Sequence, residues 1–125
     1  MRIGMDSIAN NPRVARVRER FERLSEGLHE SSQRARYGMR INSQMIAALQ
    51  DRFGPVDAVT MTMKVNKIAK EIRRELAADS DTEAKADFDK MREFSVPLAL
   101  FEVVADSLGD AGAYDFVRDT LGAGL

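Results

Sequence analysis

The sequence predicts an all-α fold, an irregular bundle of five to six helices around a central apolar helix at 96–108. Two observations carry this expectation. Apolar residues recur at helical spacing along most of the chain, and no Asn-Gly or Asp-Gly hairpin turn is present. With 125 residues, 44% hydrophobic and 31% charged, the chain suffices for one core without disulfide or metal staples. Residues 1–10 show no periodicity and read as a flexible N-terminal arm; 11–125 read as a single helical domain without a linker or an internal repeat.

The first helix starts at Asn11-Pro12, a good N-cap followed by a residue whose ring presets the helical φ. Val14, Val17, Phe21, Leu24 and Leu28 then follow at spacings of 3, 4, 3 and 4, a narrow apolar seam held over two heptads. A second stripe, Tyr37, Ile41, Met45, Leu49 and Phe53, runs until Gly54-Pro55 stops it. Two helices at about 12–36 and 40–53 fit this pattern, with one bent helix as the alternative. Asp57 is the expected cap of a third helix reaching about Ala78, with Met61, Val65, Ile68, Ile72 and Leu76 inward.

Ser80-Asp81-Thr82-Glu83 is a capping box, in which Ser80 and Glu83 satisfy each other's free amide donors. It introduces a polar helix at about 81–94, carrying Ala84, Phe88 and Met91. Ser95 is the expected cap of the next helix, with Pro97 tolerated in the first turn. From Leu98 to Leu108 only Glu102, Asp106 and Ser107 are polar, and a helix apolar nearly all round is a buried one. Gly109 ends it. Asp110 opens a last short helix with Tyr114, Val117 and Leu121 inward.

Composition excludes several function classes. Without cysteine there is no disulfide framework, thiolate zinc site, iron–sulfur cluster or cysteine nucleophile. No apolar run approaches the roughly 20 residues that span a bilayer, and Met1–Asn11 lacks the apolar centre of a secretory signal. The expected location is cytoplasmic; export by a leaderless route, suggested only by the polar arm, is the weaker alternative.

Each candidate chemistry meets a plainer structural reading. Glu26-Gly27-Leu28-His29 matches the Glu-x-x-His element of di-iron bundles, but such a site needs two copies and the chain has a single histidine. Asp79, Asp81 and Glu83 fit positions 1, 3 and 5 of a calcium loop, yet Ala84 stands where glycine is needed and Lys90 where a bidentate carboxylate is needed. Glu22, Glu26 and Glu30, and likewise Glu71 and Glu75, recur at i+4 beside Arg and Lys, which i,i+4 charge pairing explains. A serine nucleophile would need a base, and phosphate-cradling glycine loops are absent. The expectation is no enzyme, no cofactor and no metal.

Charge is uneven. Residues 1–78 carry 15 Lys/Arg against 9 Asp/Glu, net +6, and residues 79–125 carry 4 against 11, net −7. Arg13, Arg16, Arg18, Arg20 and Arg23 crowd the start of the first helix. With Val14, Phe21 and Leu28 at heptad position a, Arg13 and Arg20 fall at g and Arg18 at e, so a parallel homodimer would set Arg against Arg. The seam instead calls for an apolar neighbour flanked by carboxylates, for which Glu83, Asp87, Asp89, Glu93 and Asp106 are the candidates.

Arg13, Arg16, Arg20, Arg23 and Arg34 form the candidate contact face for a partner or a nucleic acid. Interleaved Glu19, Glu22, Glu26 and Glu30, and a pI of 5.9, argue against phosphate contact. Core filling is the default role of the seven methionines, although Met63, about 200° round the helix from Met61, would with Val59 form a second apolar face if both lie outside the core. The leading expectation is a non-catalytic interaction or assembly protein, an adaptor binding other proteins through helix faces. A small nucleic-acid-binding regulator using the first helix is the alternative.

Overall fold

The computed structural model describes residues 12–26, 39–78 and 85–122. These form five helices and no strand: α1 Pro12–Glu26, α2 Ser43–Phe53, α3 Pro55–Ala78, α4 Lys85–Glu93 and α5 Ser95–Gly122. About 93% of the described residues are helical, so the all-α bundle is correct. The arm at 1–10 and the Ser80–Glu83 capping box lie outside the described residues.

Helix α1 buries Val14, Val17 and Leu24 and half-buries Phe21, the seam expected from the 3–4 spacing. It is described to Glu26; residues 27–38, with Leu28, His29, Arg34 and Tyr37, lie outside the described residues. A single bent helix joining α1 to α2 is ruled out, because residues 39–42 are not helical. Asn42 is extended (φ −97°, ψ 171°), and its side-chain oxygen accepts from the Met45 amide at 2.9 Å, so α2 starts at Ser43 rather than near residue 40. One residue earlier, the Ile41 amide donates to Asn66 Oδ1 at 2.8 Å, tying this stretch to the side of α3.

Asp57 does not cap α3. The helix begins at Pro55, where a missing amide hydrogen leaves no donor unsatisfied, and Asp57 sits in the first turn where its carboxylate suits the positive helix end. Gly54 makes the corner with φ 89° and ψ 159°, backbone space open essentially to glycine alone. Its amide also closes α2 on the Gln50 carbonyl at 2.9 Å.

Ser95 is likewise not a cap. Residue 94 is a one-residue turn between α4 and α5, and the Phe94 carbonyl accepts from the Leu98 amide at 3.1 Å. Ser95 is fully buried, and its hydroxyl accepts from Arg73 Nη1 of α3 at 3.0 Å. This bond satisfies a polar group that burial would otherwise penalise.

The first arm of α5 is the centre of the bundle. Val96 to Phe101, Val103 and Val104 are all buried, and α3 and α5 share the most extensive helix–helix contact. Gly109 (φ 72°, ψ 173°) breaks α5, and the second arm returns Ala113, Tyr114, Val117 and Leu121 to the same core. Leu108, at the break, is only partly buried. The break places Tyr114 against Phe101, ring centroids 4.5 Å apart. Phe21 meets Phe94 edge-on at 5.5 Å, which fastens α1 to the α4–α5 corner.

Candidate functional site

The arginines of α1 face three environments. Arg13 is turned inward, its side chain 21% exposed, and meets Glu102 of α5 at 3.4 Å and Glu75 and Glu71 of α3 at 3.6 and 3.8 Å. One guanidinium therefore joins three helices. The carboxylates expected from the acidic C-terminal half are mostly not the ones used: two of Arg13's three partners come from the basic half. Asp89 pairs with Arg92 on its own helix, and the capping-box Glu83 lies outside the described residues. Periodicity fixes which residues share a face but not which neighbour that face meets, and α3 turns Glu71 and Glu75 toward α1.

Arg20 lies over the buried Phe101 ring, its guanidinium carbon 4.7 Å from the centroid. Arg23 covers Tyr114 at 4.0 Å, and Arg118 of α5 approaches the same ring at 5.9 Å while Nη2 donates to the Arg23 carbonyl at 2.9 Å. Arg16 is exposed. Of the five predicted contact arginines, then, Arg13, Arg20 and Arg23 reach groups of α3 or α5, Arg16 faces solvent, and Arg34 lies outside the described residues.

Between α1, α3 and α5 lies a half-open cleft of about 340 Å³. Arg16, Arg20 and Lys64 contribute cations to it, and Glu102, Asp106 and Asp110 contribute carboxylates along one side of α5. Its charges balance, and its lining holds no Ser, Thr, Tyr or His, so that Lys64 and the three carboxylates are its only groups able to act as nucleophile or base. Among the described residues no three of His, Asp and Glu come together as a metal-ligand group. The Glu26/His29 and Asp79/Asp81/Glu83 motifs are not covered by that statement, because His29 and residues 79–84 lie outside the described residues.

The second apolar face of α3 exists. Met45 and Met91 fill the core, but Met63 is 69% exposed, Val59 62% and Val56 81%. Val56 and Met63 lie on the side of α3 opposite Ala58, Val65, Ala69, Ile72 and Leu76, with Val59 on its flank. The same outward side continues through Lys67, Lys70 and Arg74, each exposed. Val59 and Met63 were legible in the sequence as a conditional second apolar face, and the burial of the opposite side shows that they face solvent. No helix among the described residues is long and apolar enough to cross a membrane. No protein-family model matches this chain, nor does any curated protein or solved structure.

Proposed function

We propose that the chain is a non-catalytic helical interaction protein that binds another protein through a helix face. The observation that carries the reading is the clustering of exposed apolar side chains. Among the described residues four large hydrophobics are exposed, and three of them, Val56, Val59 and Met63, share one face of α3. Single exposed apolar residues are ordinary on a protein surface, whereas a contiguous group held at helical spacing is what a partner buries.

Nucleic-acid binding by α1 draws less support. Phosphate contact requires cations directed outward, and Arg13, Arg20 and Arg23 are directed at carboxylates and aromatic rings of α3 and α5.

The test is purification of the full chain, bearing an affinity handle, from the cell it comes from. A protein partner is expected in near-stoichiometric amount with the wild type and absent with Val59→Asp/Met63→Asp, whose circular dichroism should be unchanged. Recovery of no stoichiometric protein, or equal recovery with the variant, overturns the reading.

A further inference from the structure

The outward side of α3 is patterned along its axis. Val56, Thr60, Met63, Lys67, Lys70 and Arg74 succeed one another at spacings of 4, 3, 4, 3 and 4, and all six are exposed. This is the spacing at which one helix presents a continuous seam to another. From Val56 to Arg74 the seam runs about 27 Å at a rise of about 1.5 Å per residue. Its first half carries Val56 and Met63 with Thr60 between them and Val59 beside them, and its second half is cationic.

No carboxylate lies within the seam. Glu71 and Glu75 sit to one side, turned to Arg13, and Lys67, Lys70 and Arg74 have no ion pair among the described residues. The face thus combines an unburied apolar end with three cations that form no ion pair among the described residues.

We infer that this face docks one amphipathic helix of a partner protein, with apolar residues over Val56, Val59 and Met63 and carboxylates over Lys67, Lys70 and Arg74. The inference rests on the interaction reading above and adds the face and the chemistry of the partner. Charge complementarity and the axial division select this occupant. A helix lying on a lipid surface carries its apolar residues along its whole length with cations flanking them. Here the cations lie in line with the apolar residues, whose run covers only about 10 Å. A nucleic acid would use the cationic half and leave the apolar half in water. A second helix along α3 satisfies both halves at once.

The test places a photo-crosslinking amino acid at Met63, at Lys70 and, as a control face, at Glu19 of α1, in the full chain in the cell it comes from. The expected result is that the first two positions capture the same partner protein within one helix, position 63 on an apolar stretch and position 70 on an acidic stretch. A synthetic peptide of that captured segment should bind the wild type. The triple reversal Lys67→Glu/Lys70→Glu/Arg74→Glu, confirmed folded by circular dichroism, should bind it about tenfold or more weakly. Replacing the peptide's carboxylates by lysine should restore binding to the reversed protein.

Capture of lipid, nucleic acid, a second copy of this chain, or residues 1–11 or 27–38 of the same chain overturns the inference, as does a peptide insensitive to the reversal. Capture of a protein only from position 19 overturns the assignment to α3 and leaves the interaction reading standing. Capture of no protein from any position overturns both.

Discussion

Arg13 is the residue whose loss best tests how this bundle is held together. Arg13→Met keeps an unbranched stem of similar length, so the apolar packing of the arginine methylenes is largely preserved and the guanidinium alone is removed. Its contacts at 3.4, 3.6 and 3.8 Å are long for charge-assisted hydrogen bonds, which run about 2.7–2.9 Å. Each is better counted as an ion pair. The three carboxylates are 24–37% exposed, so solvent screens them and the surface range of about 0–1 kcal/mol per pair applies. Three pairs sharing one cation therefore stabilise by about 1–2 kcal/mol. Removing it also leaves Glu71, Glu75 and Glu102 around an uncharged methionine, which adds a few tenths to about 1 kcal/mol of repulsion. The expected loss is about 2 kcal/mol, or about 6–10 °C in the melting temperature of a chain this size.

Urea unfolding followed by far-ultraviolet circular dichroism measures that loss. Near 1 M salt, where the screening length falls to about 3 Å, the loss should shrink by about half. Adding Glu102→Gln to the Arg13→Met protein should recover part of it, and the double-mutant cycle isolates the coupling. A loss under about 0.5 kcal/mol, independent of salt and of Glu102, would refute the reasoning and reduce the cluster to solvated surface charge.

Other perturbations probe the core, the corner and the candidate faces. Phe101→Ala empties a fully buried position between Tyr114 and the Arg20 guanidinium and should cost about 3–5 kcal/mol in urea unfolding; under about 1 kcal/mol, the first arm of α5 is not the centre. Gly109→Ala should cost about 1–3 kcal/mol from backbone strain alone, since an added Cβ meets nothing within 4 Å; a neutral result would mean that the break is not built as described. Arg16→Glu/Arg20→Glu should lower stability modestly, and the wild type should show no DNA or RNA affinity that falls steeply with salt. Submicromolar binding at physiological salt, abolished by that double reversal with the fold intact, would make the nucleic-acid reading the better one. Excess Zn²⁺, Fe²⁺ or Ca²⁺ should leave the melting temperature unchanged; a rise of several degrees at low metal concentration would point to Glu26/His29 or Asp79/Asp81.

Burial by periodicity was the most legible feature of the sequence. The seam Val14–Val17–Phe21–Leu24 and the apolar run at 96–104, interrupted by Glu102 alone, each state how much of the helix circumference is inward, and the structure buries their apolar residues accordingly. Helix boundaries were less legible, because a start is set by whichever donor group is satisfied most cheaply. Gly54 in glycine-only backbone space lets Pro55 open α3 directly, so the carboxylate of Asp57 was not needed as a cap. The Ser95 hydroxyl went to Arg73 because burial makes an unpaired polar group more costly than an uncapped amide at a one-residue turn.

The partners of the α1 arginines were not legible at all, and the reason bears on the candidate site. A net charge summed over half a chain has no direction; whether Arg13 meets Glu71 and Glu75 or an aspartate of α4 depends on how far α3 is rotated about its own axis. That rotation is fixed by Ala58, Val65, Ala69, Ile72 and Leu76 burying together against the core. Once it is fixed, two outcomes follow from the same helix. Glu71 and Glu75 are swung to the α1 side, where they pair with Arg13, and Lys67, Lys70 and Arg74 are left exposed, with no ion pair among the described residues. The apolar core of α3 thus determines both which cations are paired inside the bundle and which stay exposed on its surface.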